Sequence, residues 1–329
     1  MGVREMRAFK ILLPACLALG SFAASAQVED YPARPVRVIS DSAPGSAVDV
    51  ATRIIADRLG RLWGKQVVVA NHPGAGGALS ASVAASAAPD GYTIYMPALS
   101  VFLAVPGRAP NLPLRLPRDF AAIGSISDQP MFIAVAPSLG VSTLPELIAL
   151  AKKRPGEISY AATGIGRLSH LAGELLQDRA AIKLLVVPYS SGGTSQALID
   201  VMGGRIPVVI EAYQGIAGAV QSGAIKPIAT AASRRLPDFP DLPTVAETLP
   251  GFVAVGWQAV LAPVGTPEAI INKVSADLRR VLDDPEVKKQ FAISGAYVRP
   301  MAPAEVVAFV NDQQQMWLPI LQRLAQPQN

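Results

Sequence analysis

Apolar residues recur along this chain in two alternating rhythms. From Asp49 to Leu62 they fall at Val50, Ile54, Ile55, Leu59 and Leu62, the spacing of one helical face. Arg37-Val38-Ile39-Ser40 before this segment and the Val-rich Lys65–Ala70 after it read as strands. Strand, loop, helix and strand in that order predict a βαβ unit of a parallel sheet. The loop Asn71-His72-Pro73-Gly74-Ala75-Gly76-Gly77 leads to a helix over 78–87, and the turn Pro89-Asp90-Gly91 to a strand over Tyr92–Met96. A Pro-rich stretch covers 105–119. Strand Phe132–Ala136 follows, then a helix opened by the capping box Ser142-Thr143-x-x-Glu146. A second run then sets strands Ile158–Ala161, Leu184–Val187, Ile206–Ile210 and Ile225–Ala229 between helices over 169–179, 194–202 and 214–222. Strand Val255–Ala262 and helices near 267–282 and 303–324 complete the pattern. These are at least two α/β modules. In such sheets ligands sit at the carboxyl ends of the strands, and a cleft lies naturally between two modules.

Composition supports this reading. Of 329 residues, half are hydrophobic and 16% charged, enough for a sizeable core in one large or two medium domains and too apolar for disorder. The N-terminus reads as an export signal: basic Arg4, Arg7 and Lys10, a short apolar run from Ile11 to Gly20, and an Ala24-Ser25-Ala26 cleavage site that predicts a mature start at Gln27. The only cysteine, Cys16, lies inside that signal. Leu13-Pro14-Ala15-Cys16 weakly resembles a lipoprotein box, but Pro14 argues against lipidation. A mature chain without cysteine has no disulfide or thiolate chemistry. The formal charge falls from +4 to +2 on loss of the signal, which is no footprint for nucleic acid.

The stretch Tyr160–Glu174, YAATGIGRLSHLAGE, is the most suggestive. As a dinucleotide motif it lacks the third glycine and the acidic residue that should end the next strand. As a catalytic pair, Ser169 and His170 are adjacent on a helix, so their side chains diverge. With only one other histidine, His72, neither a triad nor a zinc site is supported. His170 reads as a helix residue with its nitrogens satisfied locally. What remains is a Gly-rich turn before a helix, whose free N–H groups and dipole suit an anion. The same arrangement occurs at Pro44-Gly45-Ser46-Ala47. Either loop could instead be only a tight turn. No motif calls for a metal, nucleotide or other cofactor.

Several motifs, in order, resemble the Bug family, the periplasmic substrate-binding receptors of tripartite tricarboxylate transporters. They are Tyr31-Pro32-x-x-Pro35-Val36-Arg37, Ala43-Pro44-Gly45 with Asp49, Asn71-x-Pro73-Gly74-Ala75-Gly76-Gly77, and Pro89-Asp90-Gly91-Tyr92-Thr93. Gly164-x-Gly166 with Ser169-His170-Leu171-Ala172-Gly173-Glu174, Val187-Pro188-Tyr189, Pro243-Thr244-Val245-Ala246-Glu247 and Leu261-Ala262-Pro263-x-Gly265-Thr266-Pro267 follow. The resemblance implies a two-lobed α/β "Venus flytrap" of the type II periplasmic binding class. The expected division is a signal over 1–26, one lobe from 27–127 with 250–329, and a second lobe over 128–249. It also implies a small carboxylate held between the lobes by Ser42, Ala43, Gly45, Ser46, Ala47 and Asp49 of the first loop and Thr163, Gly164, Gly166, Arg167 and Ser169 of the second, with Glu211 beside them.

The chain departs from the family pattern at Asp41 and Ser42, at Ser46-Ala47-Val48, at Ile165 and Arg167, and at Pro207. Arg167 could pair a second carboxylate or point to solvent, and Glu211, if it faces the cleft, favours an amino or hydroxyl group. The leading role is a monomeric, non-enzymatic periplasmic receptor delivering its solute to a membrane permease. A module feeding a membrane sensor kinase and a secreted enzyme on the same scaffold are the alternatives.

Overall fold

The computed structural model describes residues 30–104, 111–189 and 193–326. The export signal, Cys16 and the first part of the Pro-rich stretch lie outside them. The opening βαβ unit runs β1 (Val36–Ser40), α1 (Ala47–Trp63) and β2 (Val67–Asn71), then α2 (Ala78–Ala85) and β3 (Thr93–Met96). Helix α1 starts at the N-cap Ser46, whose hydroxyl accepts from the Asp49 amide. It stops at Gly64, which takes a left-handed φ of 61°. Its apolar face, including Ala51, Ile55 and Leu59, packs on Val36 and Val38 of β1. Burying side chains of this kind contributes roughly 1.5–3 kcal/mol each for the larger aliphatics.

Strand β4 (Phe120–Val135) is the spine of the molecule. Its first part pairs antiparallel with β9 (Val255–Pro263), and its last part with β7 (Val208–Ala212) and β8 (Lys226–Thr230). On one side the order is β2-β1-β3-β9-β4. On the other, β4-β7 continues to β5 (Ser159–Ala162) and the edge strand β6 (Leu185–Pro188). Both halves contain parallel pairs, β1 with β2 and β3, and β5 with β6 and β7. The sequence predicts only Phe132–Ala136 of β4. The part that pairs with β9, Phe120 to Pro130, holds Gly124, Ser125, Ser127, Asp128 and Pro130, weak strand formers, and that pairing overrides their preference.

Helices α3 (Leu144–Lys153), α4 (Leu168–Ala180), α5 (Gly193–Met202) and α6 (Tyr213–Gln221) flank the second half. The capping box at Thr143 and Glu146 forms as the sequence predicts. After β9 come α7 (Glu268–Asp283), α8 (Pro285–Ile293), β10 (Tyr297–Val298) and α9 (Pro303–Ala325). The sequence reading missed α8, although Asp284 caps it and Pro285 opens it. Helix α9 touches both halves. Gln314 Nε2 donates to the carbonyls of Phe102 (3.0 Å) and Leu114 (2.7 Å), while Arg323 pairs with Asp178 of α4 at 2.6 Å. This two-lobed α/β architecture places the β1–α1, β5–α4 and β7–α6 connections at carboxyl ends of strands.

Candidate functional site

The first loop joins β1 to α1. Its turn needs a left-handed residue, and Gly45 supplies it with φ 80°. The carboxylate of Asp49, buried in the first turn of α1, holds the loop in place. One oxygen accepts from the Gly45 amide (2.8 Å) and from Arg53 Nε (2.9 Å), and the other from Asn71 Nδ2 (2.7 Å). Asn71 also donates to the Ser42 carbonyl at 2.9 Å, tying the end of β2 to the loop. Burial opposes ionisation of Asp49. The hydrogen bonds from Arg53, Asn71 and Gly45 and the charge of Arg53 outweigh it and hold the pKa below the ordinary aspartate value. From β9, Gln258 Nε2 steadies the same helix end through the Val48 carbonyl (3.2 Å) and Thr52 Oγ1 (3.1 Å).

With Gly45 engaged by Asp49 and the Ser46 amide by the Ala43 carbonyl, the donors left are the amide of Ala43 in the loop and those of Ala47 and Val48 at the helix start. They take no partner among the described residues, and those of Ala47 and Val48 sit at the positive end of the helix dipole.

The second loop joins β5 to α4 and is wired with neutral groups. Ser169 Oγ accepts from the Thr163 amide at 3.0 Å and lies 2.9 Å from Thr163 Oγ1. His170 Nδ1 accepts from the Gly166 amide at 3.2 Å, and its Nε2 lies 3.7 Å from Glu174 Oε1. The Arg167 amide closes the turn on the Gly164 carbonyl at 3.1 Å, and Gly166 takes φ 80°. Ser169 and His170 therefore fold their polar atoms back into the loop. The amides of Leu168 and Ser169, at the start of α4, take no partner among the described residues.

Arg167 reaches across the gap between the halves. Its Nη1 lies 3.4 Å from Ser100 Oγ, in the 3-10 turn Leu99–Val101 that follows β3. Ser100 Oγ in turn donates to Asp41 Oδ2 at 3.3 Å. Asp41 is 2% exposed, and its other oxygen accepts from Ser42 Oγ (3.0 Å) and the Ala98 amide (3.2 Å). At the end of β7, Glu211 accepts from the Ala212 amide (2.8 Å) and Thr194 Oγ1 (3.4 Å). Burial raises the Glu211 pKa, opposed by the Ala212 amide, Thr163, the Arg167 charge and Thr194.

The residues expected from the sequence thus gather at the ends of β1, β5 and β7, with Asp49 and Ser169 holding the loops rather than facing the gap. Asp41, Ser100 and Gln258 escaped the sequence reading as site residues. Asp41 is visible there only as a departure from the family pattern, and the other two carry no local signal. Among the described residues no group of three or more His, Cys, Asp or Glu side chains could hold a metal ion, and no helix is long and apolar enough to cross a membrane.

Comparison with known proteins shows the family and the fold. Residues 51–325 match the family model described as "Tripartite tricarboxylate transporter family receptor". Protein BugT of Bordetella pertussis is 34% identical over 303 residues, covering 92% of this chain and 92% of BugT. Two Rhodopseudomonas palustris structures superpose closely. One, solved with adipate, is 27% identical with a TM-score of 0.82, covering 90% of this chain and 98% of that one. The other, MatC with bound malate, is 29% identical with a TM-score of 0.77, covering 88% and 100%. The chain belongs to the Bug family of tripartite tricarboxylate transporter receptors.

Proposed function

We propose that this protein captures a small organic carboxylate between its two lobes and delivers it to the membrane permease of a tripartite tricarboxylate-type transporter. The observation that carries this reading is the pair of helix N-termini with unpartnered amides, Ala47 and Val48 on one lobe and Leu168 and Ser169 on the other. Each is a seat for negative charge, and together they can grip one carboxylate from both sides without bond chemistry. Relatives solved with adipate and malate support the solute class. The lobes are 27–127 with 250–329 and 128–249, in keeping with the change of β4 from β9 to β7 and β8 as pairing partners. The N-terminal signal, cleaved after Ala26, exports the chain to the periplasm, where it acts as a monomer.

A thermal-shift screen of the purified protein against mono-, di- and tricarboxylates and amino acids tests this. An acid at 100 times its dissociation constant stabilises by about 2.7 kcal/mol. Such a shift is expected with at least one acid. It should disappear in Gly166→Trp, which fills the second loop. Flat melts across the panel would reject the carboxylate seat.

A further inference from the structure

Three charged side chains converge on the gap between the lobes, and none of them has an ion-pair partner within 4 Å among the described residues. They are Asp41 and Glu211, one from each lobe, and Arg167. A buried carboxylate is ordinarily paired with a cation, because taking it out of water unpaired is costly. Asp41 is buried yet accepts only from neutral donors: a hydroxyl and an amide on Oδ1 and the Ser100 hydroxyl on Oδ2. Glu211 likewise accepts only from neutral donors, the Ala212 amide and the hydroxyls of Thr163 and Thr194. Arg167 donates to a hydroxyl, Ser100 Oγ, which also donates to Asp41. Two carboxyl groups and one guanidinium therefore lie near one another beside the loops that open α1 and α4, linked through Ser100 and through the effect of the Arg167 charge on Glu211.

A solute with two carboxylates and no cation would meet Asp41 and Glu211 with charge of the same sign. A solute bearing both signs would satisfy all three groups. Its carboxylate would take Arg167 and the free amides of α1 and α4, and its ammonium the two carboxylates. We infer that the cleft selects a zwitterionic amino acid over the plain carboxylic acid of the same skeleton, with Asp41 and Glu211 receiving the amine. This rests on the reading of the cleft as a carboxylate seat and narrows it.

Isothermal titration with matched pairs that differ only in the amine tests the inference: aspartate and succinate, glutamate and glutarate, alanine and propionate, phenylalanine and 3-phenylpropionate. The amino member of at least one pair should bind about tenfold or more tightly than its partner, the effect of one charge-assisted hydrogen bond. Asp41→Asn and Glu211→Gln should each shrink that preference, read as the ratio of the two dissociation constants within one pair. Because Asp41 is buried and its replacement could disturb folding, the near-isosteric Glu211→Gln provides an independent arm, with cooperative melting as the control. Plain acids that bind as tightly as their amino counterparts, or a preference unchanged in both variants, would overturn the inference and leave the carboxylate seat standing. Absence of binding by any acid, with or without an amine, would overturn both.

Discussion

The loop that joins β1 to α1 and the loop that joins β5 to α4 have the same outline and different wiring. Each follows a parallel strand, turns on a left-handed glycine and opens a helix with free amides. The first is clamped by an ion, Asp49, which gathers Gly45, Arg53 and Asn71. The second is clamped by neutral groups, the Ser169 hydroxyl and the His170 ring. The same strand–loop–helix turn can thus be held either around a fixed negative charge or without one.

The largest expected effect falls on the ionic clamp. Asp49→Ala leaves the Gly45, Arg53 and Asn71 donors without their acceptor and should destabilise the protein by about 2–3 kcal/mol, read as a lower urea midpoint. Ser169→Ala removes a neutral hydroxyl from the second loop and should cost about 1 kcal/mol. Equal losses in the two variants would break the contrast.

A second test loads the neutral clamp from beneath. A Cβ on Gly173 would lie 2.4 Å from the ring of Tyr160, a fully buried side chain whose hydroxyl donates to the His170 carbonyl at 3.4 Å. Gly173→Ala should therefore destabilise by about 1–3 kcal/mol through overpacking. It should also weaken ligand binding at α4, whereas the first loop keeps its hydrogen-exchange protection. An undisturbed second loop would show that its shape does not depend on this packing.

Acid separates the lobes by sign. Asp49 has a pKa below its ordinary value, so its stabilisation is present above that value and is lost as pH falls through the lowered pKa. Glu211 has a pKa raised above the ordinary glutamate value of 4.5. The native state then holds the proton longer than the unfolded chain, and stability declines as pH rises from that value through the raised pKa. Glu211→Gln should remove this decline and leave the variant at least as stable as the parent at pH 7. Each tenfold difference in proton affinity between the folded and unfolded chains is worth about 1.4 kcal/mol of that gain. Unchanged pH dependence in Glu211→Gln would place the burial penalty elsewhere.

The βαβ rhythm, the Thr143–Glu146 capping box and both Gly-bearing loops were legible in the sequence because each is encoded within a few residues. The part of β4 from Phe120 to Pro130 was not, since Gly124, Ser127 and Pro130 favour other conformations and pairing with β9 makes them a strand. The roles within the site were legible only in part. Asp49 stands in the right motif, but its work depends on Asn71, which arrives from the next strand. The relay from Asp41 through Ser100 to Arg167 joins three segments far apart in the chain, so no local pattern announces it.

The carboxylate seat we propose consists of the unpartnered amides at the starts of α1 and α4. Calorimetric titration of the purified protein with each acid of the screen and with its fully amidated, uncharged counterpart tests this most directly. The account predicts measurable binding of at least one acid and none of its amide. An amide that binds as tightly as its acid, or a panel in which no acid binds, would contradict it.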